Sequence, residues 1–196
     1  MNNKTIYLAS RSPRRAELLE QIGLNFFVLP SDVDETPLLN EPSHEYVVRL
    51  AAEKAQACFA KLQLDQANLY PVLAADTSVS VDGRILGKPQ DDDDAFQMLA
   101  NLAGRWHEVH TGIAVATTTG VKTAISTTRV EMPHFSDEKI LAYVATGEPR
   151  DKAGAYGIQG LASTMIKRIE GSYSGVMGLP IYETTILLEQ AGIVIL

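Results

Sequence analysis

The sequence predicts an α/β fold built on a mixed β-sheet. Short apolar runs of strand length alternate along the chain with segments whose apolar residues recur at helical spacing. Two turn signals, Asp82-Gly83 and Thr119-Gly120, each join two strand-like segments directly, and connections this short force antiparallel pairing. Because other strands are separated by helices, we expect a mixed sheet and not a purely parallel one.

The first half of the chain is predicted to begin with a buried strand over residues 5–9. A helix follows, with Ser12 at its N-cap, Pro13 at its first position and Gly23 at its end. The next elements are a long amphipathic helix, a strand, a short strand after the Asp82-Gly83 turn, and a helix closed by Gly104. They cover residues 43–62, 70–81, 84–86 and 91–103.

The second half is predicted to open with two long strands and a helix that Ser136 caps and Gly147 ends. A strand, a helix and a terminal strand complete it. These elements cover residues 107–117, 121–132, 136–146, 164–170, 179–191 and 193–196. Because no repeat, low-complexity segment or linker divides the sequence, we expect residues 1–196 to form a single domain of two lobes.

Composition and charge argue against several classes of protein. Hydrophobic residues at 45% and charged residues at 21% are ordinary for a globular protein and argue against disorder. The net charge is −7 and no run of Lys and Arg forms a broad basic face, so we expect no nucleic-acid partner. No apolar run approaches the roughly 20 residues that span a bilayer, so we expect no membrane partner either. The one cysteine, Cys58, excludes an internal disulfide and favours a cytoplasmic location.

The segment Ser10-Arg11-Ser12-Pro13-Arg14-Arg15 places hydroxyls and guanidinium groups at a strand-to-helix turn. The N–H groups of a helix N-terminus favour anions, and arginine forks match phosphate oxygens. A phosphate site and an ordinary capped surface helix with solvated arginines both remain open for this segment.

Carboxylates and lysines of the kind that metal-dependent phosphate chemistry requires lie further along the chain. Asp76 ends an apolar run, where it is either bonded to turn amides or acts as a metal ligand or general base. Lys54 falls on the apolar side of its helix, where it either extends its stem to solvent or contacts phosphate. Lys88 is held between Gly87 and Pro89, a rigid turn suited to fixing an ammonium group.

Several other features are better explained structurally. The acidic run at residues 91–94 opens a helix, where carboxylates complement the helix dipole. His107 and His110 are three apart on a strand and therefore point to opposite faces, which argues against zinc. Cys58 lies in an apolar helical run and is expected to be buried.

Seven short motifs, in this order, resemble the Maf-like nucleoside triphosphate pyrophosphatase family. They are SPRR (12–15), EKA (53–55), AADT (74–77), GKP (87–89), HEVHTG (107–112), DKAGAYGIQG (151–160) and GLPIYET (178–184). The resemblance covers essentially the whole chain and implies a two-lobed fold with a central cleft, similar to inosine triphosphatases. It also implies a nucleoside triphosphate substrate and a divalent cation, Mg²⁺ or Mn²⁺.

The resemblance assigns roles residue by residue. Asp76 takes the position of the catalytic base and, with Glu35, of a metal ligand. Phosphate-binding positions fall on one hydroxyl and three cations: Ser10, Arg15, Lys54 and Lys88. Positions that select the base fall on Arg14, Thr77 and Gln159, while the roles of Asp151 and Lys152 in the long motif stay open.

The AGAYGIQG stretch (153–160) resembles the subgroup that hydrolyses dTTP and UTP to the monophosphate and pyrophosphate. The family suggests that such a reaction clears modified nucleotides from the cell. Two alternatives remain: a methylated-GTP pyrophosphatase of the same fold, and a non-catalytic nucleotide sensor that inhibits septum formation. The presence of Asp76 favours an enzyme over a sensor. Whether the chain forms a homodimer is left open.

Overall fold

A seven-stranded mixed sheet organises the chain. In the computed structural model, which describes residues 4–196, its strands are Thr5–Leu8 (β1), Asn25–Val28 (β2), Val72–Val81 (β3), Arg84–Leu86 (β4), Trp106–Thr117 (β5), Gly120–Glu131 (β6) and Arg168–Glu170 (β7). The helices are Pro13–Gln21 (α1), Ser43–Leu64 (α2), Asp92–Leu102 (α3), Asp137–Val144 (α4), Tyr173–Met177 (α5) and Ile181–Gln190 (α6). Three short 3₁₀ turns lie between α4 and β7, over Glu148–Asp151, Ala153–Ala155 and Leu161–Met165.

The order of the strands confirms the prediction of a mixed sheet. The sheet runs β2-β1-β3-β5-β6-β7, and β4 pairs with β3 outside this path. β1 is parallel to both β2 and β3, whereas the pairs β3–β4, β3–β5, β5–β6 and β6–β7 are antiparallel. The two antiparallel hairpins arise at the turns that the sequence indicated.

A gap in the edge of β3 positions the functional site. β5 pairs with one edge of β3 continuously, from Val72 to Ser80. On the opposite edge, β1 pairs only as far as Leu73, and β4 begins to pair only at Val79. The intervening residues of β3 therefore have no neighbouring strand on that side, and their edge is open to a ligand.

Side chains of β3 alternate between the two faces of the sheet, as the period of a strand requires. The even-numbered residues Val72 and Ala74 pack against α2, where small side chains such as Ala51 and Ala55 allow close approach. Gly112 on β5 lies directly under this helix, and a Cβ at that position would overlap the backbone of Val47. The sequence of this region thus fixes α2 close to the sheet, which brings side chains from α2 within reach of β3.

The other face of the sheet carries two separate apolar clusters. One includes Leu8 and Leu73 together with Leu187 of α6. The second includes Val79, Leu99 of α3 and further residues of α4. Two clusters along one face are compatible with two lobes, although the division of the chain into lobes stays a prediction.

Two predicted strands are wrong in part or whole. Residues 164–170 were expected to be strand, but a 3₁₀ turn occupies Leu161–Met165 and only Arg168–Glu170 pair in the sheet. The 3₁₀ turn forms because the Glu148 carboxylate accepts hydrogen bonds from the N–H groups of Leu161 and Ala162. Residues 193–196 form no strand, because the Ile193 N–H bonds the Leu188 carbonyl and the side chain packs into the core.

Two elements were not predicted. β2 has only four residues at the edge of the sheet, and its mostly exposed side chains give no clear alternation. α5 has five residues and begins after Ser172, whose hydroxyl accepts a hydrogen bond from the Gly175 N–H at 3.0 Å. Such short elements depend on tertiary contacts more than on local sequence pattern.

The structural explanations of the acidic run and of the cysteine are confirmed. Asp91 caps α3 by accepting a hydrogen bond from the Asp94 N–H at 2.8 Å. Burial of Cys58 raises the pKa of its thiol to about 11. Across residues 4–196, no helix has both the length and the apolar character that crossing a membrane requires.

The two histidines lie on opposite faces of the sheet, as predicted. His107 contacts the hydroxyl of Tyr156 at 2.7 Å, whereas His110 contacts Ser80 and Thr127. Burial lowers the pKa of His107 to about 4, so its ring is neutral near pH 7.

Candidate active site

A cleft of about 630 Å³ lies at the gap between β1 and β4. Every site residue that the sequence indicated lines this cleft: Ser10, Arg14, Arg15, Glu35, Lys54, Asp76, Thr77, Lys88, Asp151, Lys152 and Gln159. These residues come from segments up to about 150 positions apart in the chain. The fold therefore brings the predicted set together at one place.

Asp76 is a buried carboxylate at the floor of the cleft. It lies in the middle of β3, so the apolar run that it ends stops before the strand does. Its side chain is bonded to Lys54, with Nζ 2.7 Å from Oδ1, and not to the amides of a turn. Among residues 4–196, none donates a hydrogen bond to Oδ2, which leaves that oxygen able to accept one from a ligand or water.

Lys54 reaches the cleft from the buried side of α2. Its ammonium does not extend to bulk solvent: Nζ lies 2.7 Å from Asp76 and 2.6 Å from Glu35. Two carboxylates thus converge on one cation. The Lys54 charge offsets part of the cost of keeping Asp76 ionised in a buried position.

The two carboxylates differ in their affinity for protons. Burial raises the pKa of Asp76, and the charges of Lys54 and Arg15 oppose that rise without cancelling it. For Glu35, burial works in the same direction, but the hydrogen bond to Lys54 and the charges of Lys54, Lys88 and Arg15 together lower the pKa. Burial therefore makes Asp76 a stronger base than an ordinary aspartate, which suits it to accept a proton.

The donor set fits a divalent cation that also binds substrate. Oxygens of Glu35 and Asp76 both lie within 2.7 Å of the Lys54 nitrogen, so both carboxylates can reach one small cation. Within residues 4–196, no cluster of three or more His, Cys, Asp or Glu side chains could hold a metal ion. At phosphate sites Mg²⁺ prefers one or two carboxylates, with phosphate oxygens and water completing its coordination shell.

Arg15 is held rigidly on the opposite wall by three acceptors. Nε donates to the Gly178 carbonyl at 2.7 Å, one terminal nitrogen donates to the Ser10 hydroxyl at 3.0 Å, and the other donates to the Thr77 hydroxyl at 3.2 Å. Burial lowers the pKa of the guanidinium. Ser12 occupies the N-cap of α1 without a side-chain capping bond, and its N–H is bonded to Ser10 instead. The turn is therefore organised around Ser10 and Arg15, and not as an ordinary capped helix.

Lys88 and the loop over residues 151–160 also line the cleft. Lys88 is exposed, and the Gly87 carbonyl beside it accepts a hydrogen bond from the Gly154 N–H at 3.0 Å. This bond ties the turn at residues 87–89 to the segment that leads to Gln159. The backbone that carries Lys88 at the edge of the cleft is therefore a short, anchored turn.

Asp151 pairs with two cations of the cleft. Its carboxylate lies 3.4 Å from Arg14 and 2.7 Å from Lys152, and Lys152 also donates to the Glu148 carbonyl at 2.7 Å. Burial opposes ionisation of Asp151, but the contacts with Lys152 and Arg14 lower its pKa. These residues therefore form a charged network that holds Arg14 near the loop of Gln159.

Sequence reasoning missed Glu148. Besides the two N–H groups already described, the Glu148 carboxylate accepts a hydrogen bond from the Tyr143 hydroxyl at 2.9 Å. A Cβ at Gly160 would overlap this carboxylate, so Glu148 packs directly against the loop that presents Gln159. A single glutamate carries no local signal of such a role, since its partners Leu161 and Ala162 are distant in sequence.

Comparison with known proteins shows which family the chain resembles over its length. The family model described as Maf-like protein matches residues 5–191. The chain is 62% identical to the dTTP/UTP pyrophosphatase of Methylobacillus flagellatus over 196 residues, covering 100% of this chain and 96% of the relative. It is 50% identical to the dTTP/UTP pyrophosphatase of Nitrosomonas europaea, covering 96% of this chain and 95% of the relative.

A search of solved structures finds the Ham1 protein of Staphylococcus aureus at a TM-score of 0.46 and 20% identity, over 65% of this chain and 71% of that one. At that score the likeness adds nothing to the assignment. The family match spans nearly every described residue, and the two relatives align over almost their full length. The chain belongs to the Maf-like protein family.

Proposed function

We propose that the protein hydrolyses dTTP and UTP between the α and β phosphates, giving the nucleoside monophosphate and pyrophosphate. The observation that carries this proposal is the buried Asp76, which faces a cleft lined by cations from several elements. Close relatives over the full chain length bear the name dTTP/UTP pyrophosphatase, which supports the same substrates here.

The phosphate groups would be bound by the cations of the two walls. Arg15 presents a fixed guanidinium from one side, and Lys88 presents an ammonium from the other. Ser10 and Lys54 complete the phosphate-binding set that the family resemblance implies. Cations held in a partly dehydrated cleft stabilise the charge that develops on the leaving pyrophosphate.

Asp76 would accept the proton of the attacking water. Its Oδ1 is engaged by Lys54, so the second oxygen is the one that can orient and deprotonate water. Glu35 and Asp76 are the residues that would hold a divalent cation. When bound, such a cation neutralises phosphate charge and lowers the pKa of bound water. No covalent nucleophile is required by this scheme.

Charge and cysteine content support a small ligand and a cytoplasmic location. The net charge of −7 disfavours a nucleic-acid substrate and leaves a small phosphorylated molecule as the ligand. A cytoplasmic location is consistent with the single cysteine, Cys58, which is free and buried.

The direct test is pyrophosphate release from a panel of nucleoside triphosphates in the presence of Mg²⁺. We expect dTTP and UTP to be hydrolysed fastest, with dATP, dCTP and GTP as matched comparisons, and EDTA to abolish release. Fastest release from a methylated GTP would instead identify the purine-specific alternative. Nucleotide binding without release from any triphosphate would identify the sensor.

Gln159→Ala should make the enzyme less selective for dTTP and UTP over other triphosphates. The exposed amide of Gln159 lies on a glycine-flanked loop in the cleft, and an amide can offer both a donor and an acceptor to a pyrimidine edge. Its loss leaves polar groups of the preferred base unpaired, but costs nothing for a base that never used them.

The measurement for Gln159 is the ratio of kcat/KM for dTTP to that for GTP, in wild type and variant. We expect the ratio to fall by about tenfold, the effect of about one hydrogen bond. Glu189→Ala, a change at an exposed glutamate on α6 outside the cleft, serves as the control. An equal loss on every triphosphate would mean that Gln159 supports the loop or the phosphates and does not read the base.

A further inference from the structure

We propose that Thr111, a fully buried residue of β5 that does not line the cleft, is a positioning residue for Arg15 and acts through Thr77. This inference rests on the proposed function, since it concerns how the same cleft binds the triphosphate.

A continuous chain of hydrogen bonds connects the cleft to the sheet interior. Arg15 donates to the Thr77 hydroxyl at 3.2 Å, and the hydroxyls of Thr77 and Thr111 lie 2.9 Å apart. Thr111 in turn donates to the Gly175 carbonyl at 2.8 Å. Thr77 and Thr111 are direct cross-strand partners of β3 and β5, so the sheet register itself sets their separation.

The direction of each hydrogen bond is fixed by counting hydrogens. A threonine hydroxyl has one hydrogen to donate, and Thr111 gives its hydrogen to the Gly175 carbonyl, which can only accept. The contact between the two threonines therefore requires Thr77 to donate. Because the Thr77 hydrogen is donated to Thr111, the Thr77 oxygen faces Arg15 as an acceptor.

Arg15 keeps two N–H donors for a ligand after its contacts with the protein are counted. A guanidinium has five N–H donors, and three are used by Gly178, Ser10 and Thr77. Each terminal nitrogen keeps one hydrogen, and a pair of such hydrogens suits two oxygens of a phosphate. Thr111 thus orients the Thr77 hydroxyl so that its oxygen faces Arg15. Thr77 in turn fixes one terminal nitrogen of the Arg15 guanidinium.

Thr111→Val tests this proposal, because valine keeps the shape and removes the hydroxyl. We expect kcat/KM to fall by about tenfold, as for about one lost hydrogen bond to a charged group, and by the same factor for dTTP, UTP and GTP. Thr111→Ser, which keeps the hydroxyl, should restore the wild-type value. A wild-type kcat/KM in Thr111→Val, or a loss confined to one triphosphate, would overturn the proposal.

Thr128→Val is the matched control for stability. Thr128 is a buried threonine of β6 whose hydroxyl bonds the backbone of Ser172, at the start of the same short helix that contains Gly175, but it has no link to Arg15. We expect Thr128→Val to lower Tm at least as much as Thr111→Val while keeping kcat/KM within about twofold of wild type. Equal losses of activity in both variants would mean that the effect is one of stability, and the proposal would be wrong.

A double-mutant cycle separates positioning from an independent effect. In an Arg15→Ala background, Thr111→Val should cause no further loss, because the group that it positions is already absent. Additive losses would overturn the proposal.

Binding of inorganic tripolyphosphate, measured by calorimetry, gives a readout that needs no turnover: Thr111→Val should weaken this binding by a similar factor. If the wild type releases no pyrophosphate but this coupling is present, the proposed function fails and the positioning role stands.

Discussion

Asp76→Asn is expected to lower kcat by about a hundredfold or more while the fold is retained. Asparagine has nearly the same shape, so the packing of β3 is kept, but it cannot accept a proton at neutral pH and is a poor metal ligand. Lys54 keeps a partner in Glu35, 2.6 Å away, so the ammonium is not left unpaired. The change therefore removes the chemistry of the site and little else.

The measurement is pyrophosphate release from dTTP, together with thermal unfolding of both proteins. We expect little loss of Tm, because Asp76 is a buried charge whose desolvation already disfavours ionisation. Asp32→Asn is the control, since Asp32 is a carboxylate at the rim of the same cleft that pairs only with the exposed Arg11. Near wild-type turnover by a folded Asp76→Asn protein would remove Asp76 from the mechanism.

The sequence predicted which residues line the cleft better than it predicted how those residues contact one another. Asp76, Lys54 and Glu35 were each indicated by residue type and by family motif, and all of them line one cleft. That Lys54 bridges the two carboxylates could not be predicted, because it depends on how closely α2 crosses the sheet. The close crossing comes from Gly112 on β5, which no local pattern connects with Lys54.

The main elements of the fold were predictable because their signals are local. The hairpin at Asp82-Gly83 and the long helix from Ser43 follow from turn chemistry and from apolar periodicity. The segments at 161–165 and 193–196 were assigned wrongly because their apolar residues serve packing or a distant capping group. Glu148, which caps the first of these segments, lies 13 residues before Leu161 and has no signature in the sequence.

The hydrogen bonds of Thr77 mark a further limit of sequence comparison. Its position in the family motif implies selection of the base, and the motif says nothing of the contacts that its hydroxyl makes with Arg15 and Thr111. A motif reports that a residue occurs at a position, but the direction of its hydrogen bonds depends on partners elsewhere in the fold.

Arg15→Ala is expected to cost on the order of 2–4 kcal/mol in kcat/KM, with every triphosphate affected alike. The guanidinium is held by Gly178, Ser10 and Thr77, so it is positioned before substrate binds and loses little freedom on binding. Its removal takes away both a charge and a prearranged pair of donors. Lys54→Ala should cost a similar amount, because it also leaves two carboxylates without their shared counter-charge.

Lys88→Ala should give a smaller loss than Arg15→Ala, and the two should differ in their response to salt. Lys88 is exposed, so salt screens its attraction for the triphosphate, while the partly buried Arg15 is screened less. We expect the loss caused by Lys88→Ala to shrink between 0.05 M and 0.5 M KCl, over which the screening length falls to about 4–5 Å. The loss caused by Arg15→Ala should change little. Arg11→Ala is the control, because Arg11 is an exposed arginine at the rim that pairs with Asp32. If Arg15, Lys54 and Lys88 all behave like Arg11, the triphosphate binds elsewhere and the cleft has been wrongly assigned.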